Sequence, residues 1–319
     1  MALLELKDLR KTYITKRMGK KLSVKAVDGV SLKVEKGTCT ALVGESGCGK
    51  STLGKMMIGL EKPDSGIIYY NGEERKKIGN SPEERRKIQV VSQDSVDAVN
   101  PRFNAETIIS QPLRNFFRMP RKERGAAAER LLEQVGISAD EKSKYPNQFS
   151  GGQLQRICIA RALASEPDLI VLDEPLSSLD VSVQAQILNL LSDLKKEKKL
   201  SYLLISHDLE AVYYLADVIY IMYHGQIVEV LEDMEKFKNI AHPYSKRLLF
   251  SDMEIEEDEE SAVEEIGLEE MQEKANAQEE NTGCIYRKIC PLCSEKCRME
   301  RPEMRQIKEG HYVACHNIK

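Results

Sequence analysis

Gly44-Glu45-Ser46-Gly47-Cys48-Gly49-Lys50-Ser51 is the stretch on which the reading of this chain turns. It fits G-x-x-x-x-G-K-[ST]. The apolar run Cys39-Thr40-Ala41-Leu42-Val43 precedes it, as a buried strand does, and a helix-like segment follows. The physics asks for these residue types. Glycines let backbone N–H groups turn inward onto phosphate oxygens, and the next helix adds its positive end. Lys50 supplies a cation to the β- and γ-phosphates, and the Ser51 hydroxyl is a ligand for Mg²⁺. The candidate nucleotide-binding residues are therefore Gly44, Ser46, Gly47, Cys48, Gly49, Lys50, Ser51 and Thr52.

Outward from this loop, Leu169-Ile170-Val171-Leu172 runs into Asp173-Glu174-Pro175, a buried strand ending in two carboxylates. Ligands sit at the carboxyl ends of strands in a parallel sheet. The expectation is that Asp173 holds Mg²⁺ through water and that Glu174 polarises the attacking water as general base. A helix-like stretch from Val183 to Lys196 separates this strand from Tyr202-Leu203-Leu204-Ile205, the rhythm of a parallel β-α-β core. Residues 3–43 alternate in the manner of antiparallel strands, and residues 105–165 carry helical patterns such as Leu131, Leu132 and Val135. Between them and the carboxylates, Ser150, Gly151, Gly152 and Gln153 open a helix and present hydroxyl and N–H donors to an anion.

That last segment, Phe149-Ser150-Gly151-Gly152-Gln153, resembles the signature of the ATP-binding subunits of ABC transporters, with Phe149 in place of leucine. The resemblance spans roughly residues 3 to 250 with the family's segments in order. It implies an α/β fold: a P-loop NTPase cassette with a RecA-like parallel-sheet core, an N-terminal antiparallel β subdomain and a helical subdomain. It also implies roles. Tyr13 matches the aromatic residue that stacks on adenine. Gln93 matches the glutamine that reaches Mg²⁺ or the nucleophilic water and whose loop touches the membrane subunits. Asp180, in Ser178-Leu179-Asp180, matches the segment that communicates across the dimer, and His207 the histidine that contacts the γ-phosphate. In such a family two cassettes face head to tail and sandwich two Mg-ATP. They drive two transmembrane permease subunits and, indirectly, serve an extracytoplasmic substrate-binding protein, so the expected location is peripheral, at the cytoplasmic face of the membrane.

Finer likeness points to importers of peptides and of nickel or metal chelates: Gln93-Asp94-Ser95 with Ala98-Val99-Asn100-Pro101-Arg102, His242-Pro243-Tyr244, and the ending from Gly283-Cys284 to Cys315-His316. A soluble ABC-type ATPase acting on nucleic acid or ribosomes is the alternative. It calls for a coiled-coil insertion or tandem cassettes, and only about 100 residues separate Lys50 from a single Ser150 segment. No nucleic-acid partner is expected.

Composition agrees with a packed protein of 319 residues, 41% hydrophobic and 31% charged, and no apolar run approaches the roughly 18 residues a membrane span needs. The start, Met1-Ala2-Leu3-Leu4-Glu5-Leu6-Lys7-Asp8, has charges where a signal peptide needs apolar residues, so a cytosolic chain is expected. The net charge of −4 hides an asymmetry, because residues 251–282 hold fourteen Asp and Glu against one Lys. The chain divides by composition into an ATP-binding domain (1–250), an acidic linker (251–282) and a Cys-rich extension (283–319). Five of the eight cysteines lie in that extension: Cys284, Cys290, Cys293, Cys297 and Cys315. Soft ligands in a reducing setting suit an iron–sulfur cluster, a structural Zn²⁺ or free packed thiols, and spacing leaves all three open. Family positions favour a [4Fe–4S] cluster on Cys284, Cys290, Cys297 and Cys315. The thiols of Cys39, Cys48 and Cys158 are expected to carry no chemistry.

Overall fold

The computed structural model describes residues 2–17, 20–75, 82–252 and 282–318. Ala2–Arg17 (β1) and Lys20–Glu35 (β2) are long antiparallel partners. Cys39–Val43 (β3) is wholly buried and leads through the glycine-rich turn into Lys50–Met57 (α1). Ser65–Tyr70 (β4) returns to pair with β1, and Glu73–Glu74 (β5) pairs with β4. These strands form a four-stranded antiparallel sheet in the order β2-β1-β4-β5, as the alternation near the N-terminus led one to expect.

Pro82–Lys87 (α2) and Ile88–Val91 (β6) precede the helical region, made of Ala105–Phe117 (α3), Arg121–Gln134 (α4) and Gly151–Leu163 (α5). These three helices bury Ile108 and Ile109, Ala128 and Leu132, and Leu154 and Ile157, respectively, in one shared cluster. Leu169–Asp173 (β7), Val181–Lys198 (α6), Ser201–Ser206 (β8), Leu209–Leu215 (α7), Val218–Tyr223 (β9) and Gln226–Leu231 (β10) then complete the core. Pro243–Asp252 (α8), Glu295–Met299 (α9), Arg305–Lys308 (β11) and His311–Val313 (β12) follow.

The second sheet runs β11-β12-β10-β9-β3-β8-β7-β6, with β9, β3, β8, β7 and β6 parallel to one another. Strands buried on both faces need apolar residues at every position. In β7 and β8, Leu169, Val171, Leu203 and Ile205 pack with Leu53 and Met56 of α1. Ile170, Leu172, Tyr202 and Leu204 pack on the other side with Ile187 and Leu191 of α6.

The chain's last strands are not set apart from this core. Val230 of β10 pairs with Tyr312 of β12, and the Ala314 amide donates to the Val228 carbonyl at 2.8 Å. A buried carboxylate fixes the junction: Glu229, with no exposed surface, accepts from the Ala241 amide at 2.7 Å, the His242 amide at 3.1 Å and His311 Nε2 at 2.7 Å. Apart from Ser251, Asp252 and Thr282, the acidic stretch lies outside the described residues.

Candidate functional site

The phosphate loop is shaped by what crowds its glycines. A Cβ on Gly44 would stand 2.2 Å from the Met222 carbonyl oxygen, and one on Gly49 would stand 2.0 Å from that of Ala26, so neither position admits a side chain. Gly49 also takes φ +112°, the left-handed region where glycine is at ease. Lys50 is buried, and its Nζ donates to the carbonyls of Gly44 at 2.5 Å and Glu45 at 2.9 Å. The loop is tied from behind as well: the Glu45 amide donates to Tyr244 Oη at 2.9 Å, and the Cys48 carbonyl accepts from the Gly225 amide at 2.8 Å.

Because β3, β8 and β7 are neighbours in the sheet, their carboxyl ends meet. Ser51 Oγ, one residue into α1, lies 3.5 Å from Asp173 Oδ1 at the end of β7. Burial, and then the neighbouring Glu174 charge, push the Asp173 carboxyl above its ordinary range. Glu174 has φ +47°, a strained value for a residue with a side chain, and its amide is held by the Ile205 carbonyl of β8 at 2.9 Å. His207, just past β8, places Nδ1 3.5 Å from Glu174 Oε1. Asp208 caps α7 by accepting from the Ala211 amide at 3.0 Å, which fixes the backbone beside His207. Gln93 is exposed, two residues beyond β6, the strand next to β7.

The second anion-binding candidate is a separate group. Ser150 caps α5 reciprocally: its Oγ accepts from the Gln153 amide at 3.3 Å, while Gln153 Oε1 accepts from the Ser150 amide at 3.0 Å. Gly152 sits against α6, where an added Cβ would come within 2.3 Å of Val183 Cγ1. Asp180 caps α6, accepting from the Val183 amide at 3.0 Å and from Ser182 Oγ at 2.7 Å. The Ser182 hydroxyl, followed by the backbone amides, holds the Asp180 carboxyl below its usual range. The structure thus couples Ser150, Gly151, Gly152 and Gln153 to Asp180 through helix packing. Among the described residues no hydrogen bond or ion pair links them to Lys50, Ser51, Asp173 or Glu174. Tyr13 stands apart on β1, opposite Val24 and 37% exposed, with Lys11 Nζ 5.6 Å from its ring centre.

The tail cysteines form no disulfide with one another. All five are free thiols, with Cys284, Cys297 and Cys315 buried. The Cys284 amide donates to the Cys297 carbonyl at 2.8 Å. Burial raises Cys290 to about 11 and pushes Cys284 up too. Cys297 differs. Burial favours its thiol, yet hydrogen bonds from Ser294 and Asn317 outweigh it and hold this group below its ordinary value. Among the described residues no three His, Cys, Asp or Glu side chains are grouped to share a single metal ion.

Reading the sequence alone assigned no role to Tyr244, Tyr286 or Glu229. A signal existed for Glu229, a carboxylate in the middle of the apolar strand Ile227-Val228-Glu229-Val230-Leu231. None existed for the pairing of Tyr244 with Glu45, 199 residues away.

Residues 27–177 match the family model described as ABC transporter, and residues 228–297 match one described as the oligopeptide/dipeptide transporter, C-terminal region. The chain is 42% identical over 303 residues to the putative oligopeptide transport ATP-binding protein YkfD of Bacillus subtilis, covering 93% of this chain and 91% of that protein. It is 40% identical to the dipeptide transport ATP-binding protein DppF of Haemophilus influenzae, over 97% of this chain and 95% of that one. Among solved structures, it resembles the dimeric ATP-binding cassette MJ0796 in a post-hydrolysis state bound to ADP and Pi, with TM-score 0.62 and 30% identity over 70% of this chain and 96% of that one. It also resembles cbiO1 from Clostridium perfringens, part of the ABC transporter complex cbiONQ, with TM-score 0.64 and 25% identity over 78% of this chain and 95% of that one.

Proposed function

This chain belongs to the ABC transporter family, and from that premise we propose that it is the ATP-hydrolysing subunit that powers uptake of dipeptides or oligopeptides. One observation carries the reading of the site: the adjoining carboxyl ends of β3, β7 and β8 bring Lys50, Ser51, Asp173, Glu174 and His207 to one edge of the sheet. Peptides are preferred to nickel chelates because the C-terminal match and both relatives above carry peptide names. The soluble nucleic-acid ATPase is not favoured.

In this reading the glycine-rich loop receives the phosphates of ATP, and Lys50 leaves the carbonyls of Gly44 and Glu45 to meet the β- and γ-phosphates. A hydroxyl and a half-buried carboxylate converging at Ser51 and Asp173 fit Mg²⁺, since a cation there relieves the cost of burying Asp173. When bound, Mg²⁺ neutralises charge on the β- and γ-oxygens. Gln93 orients water from the neighbouring strand end. Glu174 takes the proton from that water, and His207, beside it, contacts the γ-phosphate. Tyr13 offers its ring to adenine. Ser150, Gly151, Gly152, Gln153 and Asp180 serve the ATP bound by a second cassette, which accounts for their separation from Lys50. The likeness to a dimeric cassette supports that pairing. Among the described residues no helix is long and apolar enough to cross a membrane. In this reading two permease subunits provide the contact with the bilayer, and an extracytoplasmic binding protein acts indirectly.

For the tail, the reading is a [4Fe–4S] cluster on Cys284, Cys290, Cys297 and Cys315, with Cys293 dispensable. Donors from Ser294 and Asn317 to the Cys297 sulfur suit a thiolate ligand.

The test is ATP hydrolysis by the transporter reassembled in vesicles with its permeases. Peptide-loaded binding protein should stimulate turnover, and Lys50→Ala should abolish nucleotide binding measured by calorimetry. A chain that binds MgATP equally well without Lys50 would overturn the site, and stimulation by nickel chelate but not by peptide would overturn the cargo.

A further inference from the structure

The phosphate loop is gripped at its rear by residues that belong to neither strand β3 nor helix α1. Both backbone polar groups of Glu45 are held: its carbonyl accepts from Lys50 Nζ at 2.9 Å and from the Cys48 amide at 3.3 Å, and its amide donates to Tyr244 Oη at 2.9 Å. Tyr244 is fully buried in α8, with its ring 4.5 Å from that of Tyr223 and 5.8 Å from that of Tyr286. Tyr286 comes from the Cys-rich tail. It is 3% exposed, meets Tyr223 edge-on at 5.3 Å and His242 at 5.8 Å, and lies two residues from Cys284. A second line runs from the same tail. Arg301 donates to the Asp28 carbonyl at 3.0 Å, the Asp28 amide to the Gly225 carbonyl at 2.8 Å, and the Gly225 amide to the Cys48 carbonyl at 2.8 Å.

Two points of the loop, Glu45 and Cys48, are therefore connected to residues 284–301 through buried rings and backbone hydrogen bonds. A loop that binds an anion through backbone amides gains affinity when those amides are ordered beforehand, because less freedom is lost on binding. The Lys50 grip on Glu45 is temporary, since the same ammonium must turn to the phosphates. At that moment the Glu45 carbonyl keeps only the Cys48 amide, at 3.3 Å and within the loop itself, and the Tyr244 hydroxyl is what holds the Glu45 amide from outside the loop.

We infer that Tyr244 is a positioning residue of the ATP site, seated by Tyr286 of the Cys-rich tail, so that order in the tail sets the affinity of the phosphate loop for ATP. This inference rests on the ATPase reading above and adds a function for the tail. It assigns the tail's packing, and whatever its cysteines bind, to ATP affinity and not to the hydrolytic step.

Calorimetric titration of the full chain with MgATP tests it, together with steady-state kinetics in the assembled transporter. Tyr244→Phe keeps the ring and removes only the hydroxyl. It should weaken MgATP binding about threefold to tenfold, the effect of losing one hydrogen bond to a buried amide. The KM for ATP should rise by a similar factor with kcat nearly unchanged, and the melting temperature should fall by no more than about 5 °C. Tyr286→Ala should weaken binding in the same range, or Tyr286→Leu if the alanine variant does not fold. The double variant should be no weaker than the worse single one, because both act on one tether. Unchanged affinity in Tyr244→Phe would overturn the inference, as would simple additivity of the two changes or a fall confined to kcat. A wild-type chain that binds no MgATP would instead overturn the ATPase reading beneath it.

Discussion

His207 Nδ1 stands 3.5 Å from Glu174 Oε1, joining the residue that follows β8 to the one that follows β7. The contact aims the Glu174 carboxylate from one side while the Ile205 carbonyl holds its amide from the other. A group positioned so firmly is suited to accept a proton from a water in a fixed place. Glu174→Gln keeps the shape and removes the acceptor. Turnover of the assembled transporter should fall at least ~10²-fold with MgATP affinity retained, as measured by phosphate release and calorimetry.

Gly152 should tolerate no side chain. The Cβ of alanine there would meet Val183 Cγ1 at 2.3 Å, and a β-branched neighbour has little freedom to yield. Gly152→Ala should cost about 1–3 kcal/mol by forcing α5 and α6 apart. Denaturant melts should show the loss, and hydrolysis should fall as Ser150 and Asp180 shift. Trimming the obstacle with Val183→Ala in the same chain should recover much of both.

Stability should fall as the solution is acidified from near pH 6.5 toward pH 4. Burial lowers His242 to about 4, partly offset by the Glu229 charge, and its Nδ1 accepts from the Tyr244 amide at 3.1 Å. The unfolded chain then binds a proton that the folded one refuses, so unfolding free energy rises with pH across this window. The full effect amounts to at most about 3 kcal/mol. Urea melts between pH 4 and 7 should show the slope, and His242→Gln should flatten it.

The cysteine reading predicts brown protein with about four irons per chain when purified without oxygen. Cys293→Ser should keep the iron, whereas Cys290→Ser or Cys297→Ser should lose it. Colourless anaerobic protein with one zinc would replace the cluster, and the reverse pattern in the serine variants would reassign the ligands.

The parts of this protein that were legible beforehand are those whose chemistry is local. Continuous apolar runs announced β7 and β8 because both faces of each strand are covered, and the helix between them extends only two residues beyond each end of the stretch from Val183 to Lys196. The loop from Gly44 to Ser51 needs its glycines for steric reasons that act within a few residues and their immediate neighbours. Tyr244, Tyr286 and Arg301 were not legible, because each acts on a residue brought close only by the finished fold. The buried Glu229 and His311 show the same limit. Either could be noticed as a polar residue in an apolar strand, but neither names the other.

The order of strands at one margin of the large sheet bears on how the chain escapes aggregation while it is being made. Until β12 is synthesised, β10 offers Ile227, Val228, Val230 and Leu231 along an unpaired backbone, the kind of margin that recruits other chains. At ordinary rates of translation that interval lasts on the order of ten seconds. Once it ends, the outermost strand is the short β11, in which Arg305 and Lys308 stand exposed and discourage further pairing. Ribosome-bound or truncated chains that stop before His311 should therefore depend on chaperones far more than the finished protein does.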